Sequence, residues 1–354
     1  MKTLTSYIAG QWLAPRAGQE MADVINPATE AVVARICFGA GAEVDAAVKA
    51  AHAAFAAYGR TSLEERIASL RRLISIFERR YQEMAEAIST EMGAPHDLSK
   101  RSQAACGPGH MNAIIEAALD MDWETRSGGS GNVVLEPVGV CGLITPWNWP
   151  VNQLAAKIGP ALVAGCTMVL KPSEIAPLSA QLFAEFVHEA GYPAGVFNMV
   201  HGTGPAVGRA LTGHPLVDMI SFTGSTRAGI DVAKTAADTV KRVSQELGGK
   251  SANIVFADAD LETAVKRGVL HCFNNSGQSC NAPTRMLVEA SVYERAAGIA
   301  AAVGAKVQVG DPMKPGPHLG PVVSRLQYEK IQRLIEKGVS EGARLLMGGP
   351  GKPA

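Results

Sequence analysis

Cys141-Gly142-Leu143-Ile144-Thr145-Pro146-Trp147-Asn148-Trp149-Pro150 decides the fold. An apolar run, Cys141–Thr145, meets a rigid turn and then an apolar helical pattern, Val151–Val163. No charged side chain lies between Glu136 and Lys157. A membrane span of that length is excluded by Pro137, Pro146, Pro150 and the polar Asn148, Asn152 and Gln153. The stretch reads instead as a buried parallel strand feeding a buried helix. The alternation then repeats. Strand Thr167–Lys171 leads to helix Leu178–Ala190, and strand Val196–Val200 to helix Pro205–Leu211. Strand Met219–Phe222 leads to helix Arg227–Ala236, and strand Arg242–Glu246 closes the series. Repeated β-α units of this length predict an α/β fold, a doubly wound parallel sheet with a nucleotide site at the strand carboxyl ends.

The flanks follow the same reading. Tyr7–Leu13 predicts a hairpin and Ala31–Ile36 a strand. Val44, Ala47, Val48, Ala51 and Phe55 recur at helical spacing. Ser62-Leu63-Glu64-Glu65 is a capping start for a helix running to about Met92, ended by Gly93-Ala94-Pro95. A further helix is expected over Leu98–Leu119. Gly128-Gly129-Ser130-Gly131 is a flexible break, followed by an expected strand over Val133–Val138. Beyond Ser251 a second domain is expected, with strand Asn253–Phe256, helix Leu261–Phe273, strand Thr284–Glu289 and a helix from Ser324 to about Ser340.

Composition narrows the function. Thirty-three Lys and Arg balance 33 Asp and Glu across 354 residues. That neutral balance supplies none of the basic field nucleic-acid binding requires. Six cysteines are scattered with no C-x-x-C, so zinc and dithiol chemistry have no support. The amino terminus shows no apolar secretory core, and a reducing cytosol is the simplest compartment.

Three segments carry candidate chemistry. Asn274-Asn275-Ser276-Gly277-Gln278-Ser279-Cys280 is small, polar and uncharged around a thiol, so a carbonyl can approach the sulfur. The other cysteines read as small buried hydrophobes. Glu246 ends a strand at a Gly-Gly turn, where it is either a surface carboxylate or a base projecting into a cleft. Asn148 is either a turn-forming amide bonded to its own backbone or an oxyanion donor. Nucleophile, base and oxyanion donor are the parts of a covalent thiol enzyme. Met219–Arg227 is a strand, a small hydroxylated turn and a helix start, which is either an anion site for a cofactor pyrophosphate or a plain N-cap. Lys171 and Glu174 stand where a dinucleotide sheet holds the adenosine ribose, or serve as a surface loop with a capping Glu. A carboxylate there would repel a 2′-phosphate, which favours NAD over NADP. The first strand turn lacks G-x-G-x-x-G, and Gly202-Thr203-Gly204 with Gly208 comes in a later turn.

Taken together, Thr145–Pro150, Gln245–Lys250 and the Cys280 segment resemble the aldehyde dehydrogenase superfamily, in its order and nearly its spacing. The separation of 34 positions from Glu246 to Cys280 matches that between the family's base and nucleophile. The resemblance implies a modified Rossmann parallel sheet plus a second α/β catalytic domain. It divides the chain into 1–127 (helical part of the cofactor domain), 128–138 (bridging strand), 139–250 (NAD-binding part) and 251–354 (thiol domain). It implies catalysis by Cys280, Glu246 and Asn148. Cofactor contacts are implied at Ile144, Thr145, Pro146, Trp147 and Asn148, then at Lys171, Ser173, Glu174 and Gly204. Others are implied at Phe222, Thr223, Gly224, Ser225, Thr226, Gly229 and Leu247. The expected reaction is oxidation of a small aldehyde to a carboxylic acid with NAD, through a thioester on Cys280. Arg227 in the phosphate turn leaves room for NADP. Coenzyme A-acylating relatives do not rely on a glutamate in this motif, so Glu246 favours hydrolysis. Expected partners are the aldehyde and, for a full-length member, copies of itself in a homodimer or homotetramer, with no nucleic acid and no membrane.

The family's catalytic domain continues beyond Ala354. The expectation is therefore a carboxyl-terminally truncated member, binding cofactor weakly and oxidising aldehydes poorly or not at all. The competing readings are a non-catalytic dinucleotide-binding fragment and a coenzyme A-acylating enzyme.

Overall fold

A computed structural model describes residues 1–129 and 131–352. Ser130 of the glycine-rich break and the last two residues lie outside them. The chain divides into two compact units. The first comprises Met1–Val24, Val32–Ile88 and Lys100–Leu247. The second comprises Ile25–Ala31, Ser89–Ser99 and the chain from Gly248 onward.

Seven short strands precede the main repeat: β1 Lys2–Leu4, β2 Tyr7–Ile8, β3 Gln11–Trp12, β4 Met21–Ile25, β5 Val32–Cys37, β6 Glu124–Ser127 and β7 Gly131–Val134. The repeat itself supplies β8 Val140–Ile144, β9 Thr167–Lys171, β10 Phe197–Met199, β11 Met219–Gly224 and β12 Arg242–Leu247. These form a seven-stranded sheet in the order β12-β11-β8-β9-β10-β2-β3. The five repeat strands are mutually parallel, whereas the β2–β3 hairpin adds antiparallel to β10. The order reverses between β8 and β11, which creates the switch-point crevice of a doubly wound sheet.

Every residue of β8 and of β9 is buried, as expected of parallel strands covered on both faces. Val44, Ala47, Val48 and Ala51 of helix Gly41–Tyr58 join Val140, Val169 and Ile220 in one core. Phe55, expected on that face, is only half-buried. Phe77 is fully buried, edge-on to Phe183 and Phe186 at centroid separations of 6.4 and 5.4 Å.

Several boundaries depart from the sequence expectations. The helix expected over Leu63–Met92 is two, Leu63–Arg79 and Tyr81–Met92. Arg80 leaves helical geometry there, while its guanidinium binds Glu83 and Glu185 and sits 4.8 Å over the Phe186 ring. Tertiary contacts thus override a continuous helical pattern. Instead of Leu98–Leu119 there is a π-turn, Ser99–Gln103, and a helix Cys106–Asp120. The helix expected over Pro205–Leu211 is likewise a π-turn, Gly204–Gly208, and a short α-turn, Arg209–Gly213. The strand expected over Val133–Val138 lies earlier, as β7, paired antiparallel with β6. Leu135 still donates its N–H to the Trp123 carbonyl (2.9 Å), but Pro137 has no N–H to extend the ladder.

In the second unit β13 Ala252–Val255 pairs parallel with β14 Arg285–Val288. Helices Leu261–Phe273 and Tyr293–Gly304 bury Val255, Leu261, Val265 and Ala296 in its core.

The uncharged stretch ending at Lys157 resolves into β8 and helix Pro150–Ala164. No helix of the described residues is long and apolar enough to cross a membrane. Lys157 itself is 8% exposed on that helix and donates to Ser221 Oγ at 2.9 Å. Burial pulls its ammonium down from 10.5 to about 8, opposed by the carboxylate of Glu246. The unfolded chain keeps this proton up to about 10.5, and the folded chain releases it near 8. Between those values the unfolded state binds more protons, so stability rises with pH. Native protein should therefore gain on Lys157→Met, by on the order of 1–3 kcal/mol, as pH rises from 8 towards 10.5. Urea unfolding of both proteins across that range checks it; a pH-independent difference refutes it.

Candidate active site

The carboxyl ends of β8, β9, β11 and β12 bring most of the candidate residues to one edge of the first unit's sheet. Register sets Ile144 beside both Phe222 and Lys171, Thr223 beside Glu246, and Gly224 beside Leu247. The Thr145–Asn148 turn and the Thr223–Ser225 turn therefore flank the switch-point crevice from its two sides. The buried Thr145 donates its N–H to the Lys171 carbonyl at 3.1 Å. Pro146, Trp147 and Asn148 are half-buried before Pro150 opens the next helix. Proline there has no N–H to waste and a φ already set for a helix.

Beyond β9, Lys171 Nζ meets Glu174 Oε2 at 2.6 Å, with the lysine buried and the glutamate part-exposed. Ser173 Oγ accepts from the Ile175 N–H at 3.2 Å, which shapes the loop between them. Gly204 follows β10, two strands removed from the crevice.

Beyond β11, Ser225 caps helix Thr226–Ala237 by accepting from the Ala228 N–H at 3.3 Å. The capping reading of that turn is thus realised, and it is compatible with anion binding at the same helix start. Thr223 Oγ1 points the same way: it is buried with no hydrogen-bond partner. An orphaned hydroxyl of this kind calls for a partner that arrives from outside. A Cβ on Gly229 would lie 2.7 Å from Leu247 Cδ2, so glycine permits the helix to seat on β12. These groups fit a dinucleotide: donors and a dipole for phosphate, and a Lys-Glu pair for ribose hydroxyls. Among the described residues no group of three or more His, Cys, Asp and Glu could hold a metal ion.

Glu246 is exposed at the end of β12, and its charge reaches Lys157 within the same unit. Lys157 is the site neighbour that sequence reading passed over. A single lysine closing an uncharged stretch, on a helix face with Leu154 and Ile158, was the available signal.

Cys280 belongs to the second unit and is the one exposed thiol of the six. Cys37, Cys141 and Cys166 are buried, and burial pushes the half-buried Cys272 thiol upward. After helix Leu261–Phe273 and its cap Asn274 come three left-handed residues, Asn275 (φ 54°), Ser276 (55°) and Gly277 (73°). Two of them carry a Cβ, so the conformation is costly and needs support. Ser276 Oγ donates to the Gly320 carbonyl (2.8 Å), and the Val323 N–H donates to Gln278 Oε1 (2.9 Å). Left-handed non-glycine residues of this kind cluster at active sites, which makes the loop leading to Cys280 a candidate.

Comparison with known proteins places the chain in a family. The model of the aldehyde dehydrogenase family matches residues 12–354. A 3-succinoylsemialdehyde-pyridine dehydrogenase from a Pseudomonas species is 54% identical over 348 residues, 98% of this chain and 72% of that one. The crystal structure of an aldehyde dehydrogenase from Bartonella henselae superposes with a TM-score of 0.97 at 50% identity, covering 100% of this chain and 75% of the other. That of aldehyde dehydrogenase C from Pseudomonas syringae, a mutant complexed with NAD+ and octanal, gives 0.96 at 48% identity, covering 99% and 72%. With the family model spanning nearly all its residues, and with close relatives in sequence and structure, the chain belongs to the aldehyde dehydrogenase family.

Proposed function

We propose that the chain oxidises an aldehyde to a carboxylic acid in an NAD-dependent, hydrolytic reaction, with Cys280 as nucleophile. The observation that carries this reading is the single exposed thiol, set on a strained polar loop. The Cys280 sulfur forms a bond to the carbonyl carbon, and the carbonyl electron pair moves onto oxygen. The Asn148 side-chain amide and the Cys280 N–H donate to that oxyanion, the kind of contact worth about 10²–10³ in rate per donor. As the oxyanion re-forms the carbonyl, the carbon–hydrogen bond of the adduct breaks and a thioester is left on Cys280; NAD, when bound, would supply the hydride acceptor. The Thr223 hydroxyl and the start of helix Thr226–Ala237 would hold its phosphates, and Lys171 and Glu174 would hold its ribose hydroxyls. Glu246 then takes a proton from water, the hydroxide adds to the thioester carbon, and the carbon–sulfur bond breaks to release the acid.

Glu174 supports NAD over NADP, because its carboxylate repels a 2′-phosphate. Six free thiols suit a reducing compartment such as the cytoplasm. Exposed Val133 and Val134 on the β6–β7 hairpin support assembly into a homodimer or homotetramer. The names of the relatives suggest the first aldehydes to assay: a pyridyl semialdehyde and octanal.

Cys280→Ala should abolish NADH formation from aldehyde and NAD; a residual native rate would sink the assignment. Glu246→Gln should still acylate Cys280, seen as a mass shift in the trapped protein, yet turn over about 10²–10⁴ times more slowly. A rate that instead requires coenzyme A would replace hydrolysis by acyl transfer. Replacing Glu174 by Gln should narrow the preference for NAD over NADP, read from fluorescence titration with each nucleotide.

A further inference from the structure

Lys250 holds both peptide planes that flank Cys280. Its Nζ donates to the Gly277 carbonyl at 2.8 Å and to the Ser279 carbonyl at 2.9 Å. Its backbone N–H donates to the Cys280 carbonyl at 2.9 Å. Lys250 is itself left-handed (φ 64°), a non-glycine outlier beside the Gly248-Gly249 turn. That conformation lets one residue present its N–H and its side chain to the same loop.

The peptide bond is planar and trans, so a carbonyl and the N–H of the next residue point in opposite directions. The Ser279 carbonyl and the Cys280 N–H share one such plane. An ammonium anchored on the Ser279 oxygen therefore aims the Cys280 N–H away from itself. The bond from the Lys250 N–H to the Cys280 carbonyl fixes the following plane. With both planes fixed, neither soft dihedral of Cys280 is free. An ammonium suits the task because it offers three donors and no acceptor, so it can bind two carbonyls at once. The bonds are charge-assisted, and a positive charge at the carbonyl end of an amide polarises its N–H into a stronger donor.

We infer that Lys250 is a positioning residue for the oxyanion-stabilising amide, aiming and polarising the Cys280 N–H through the Ser279 carbonyl. The inference rests on the reading of Cys280 as the nucleophile. The role differs from general support of the loop, because it concerns the N–H donor rather than the sulfur.

Two rates separate the possibilities. Alkylation of Cys280 by iodoacetamide, followed by peptide mass spectrometry, needs only an accessible sulfur. The single-turnover burst of NADH from aldehyde and NAD also needs the oxyanion donor. In Lys250→Met the burst should fall by about 10²-fold while alkylation stays at the native rate. In steady state kcat should fall with KM unchanged. A native burst overturns the inference. So does an equal fall of both rates, which would mean the loop has merely collapsed. Lys250→Gln, neutral but with a polar head, is judged by the same pair of rates if the Met variant does not fold. A burst that survives Cys280→Ala would instead overturn the nucleophile assignment, a result distinguishable from failure of the Lys250 role.

Discussion

Parallel pairing is the constraint on which the first unit depends. Five strands running the same way must each release the chain at the same edge, so five loops gather there. The reversal of strand order between β8 and β11 pulls two of those loops apart and opens a crevice. Thr145–Asn148 and Thr223–Ser225 face that crevice because of sheet topology, not because of any attraction between them. Both faces of β8 and β9 are covered, which fixes the edge to which those loops are attached.

The second unit holds its exposed thiol differently. Its thiol follows a run of left-handed residues that no helix or strand dictates. Rigidity there comes from side chains bonding to backbone: Ser276 to Gly320, Gln278 to Val323, and Lys250 to Gly277 and Ser279. Such a loop is over-determined by specific hydrogen bonds, which is how an unfavourable backbone persists. The first unit thus offers a surface prepared by periodic structure, and the second an exposed thiol on a loop held by local bonding.

This contrast explains what could be read from the amino-acid order. The β-α alternation was legible because buried parallel strands are short apolar runs and their covering helices carry apolar faces. The start of helix Leu63–Arg79 was legible from Ser62 and Glu65, which do form the capping box. The break at Arg80 was not, because it is set by Glu185 and Phe186, more than a hundred residues away. The π-turns at Ser99–Gln103 and Gly204–Gly208 were not legible because their sequences remain helix-compatible. The β6–β7 pairing escaped because Glu124–Ser127 has little apolar alternation. At the site, Cys280 stood out by its small polar neighbours. Lys157 did not, because its burial follows from the tertiary packing of helix Pro150–Ala164, which brings its ammonium to Ser221 of β11.

The second unit is assembled from three separated stretches of chain, two of them only 7 and 11 residues long. Gly93 packs against Pro27 and Pro321, and the His96 N–H bonds to the Pro312 carbonyl, so these early pieces belong to structure completed late. On the ribosome, Ser99 emerges roughly 7–30 s before Gly248 at ordinary elongation rates. During that interval the sheet of the first unit can close, while the segments destined for the thiol-bearing unit remain without their partners. Synthesis order therefore makes the loop that carries Cys280 form after the sheet of the first unit.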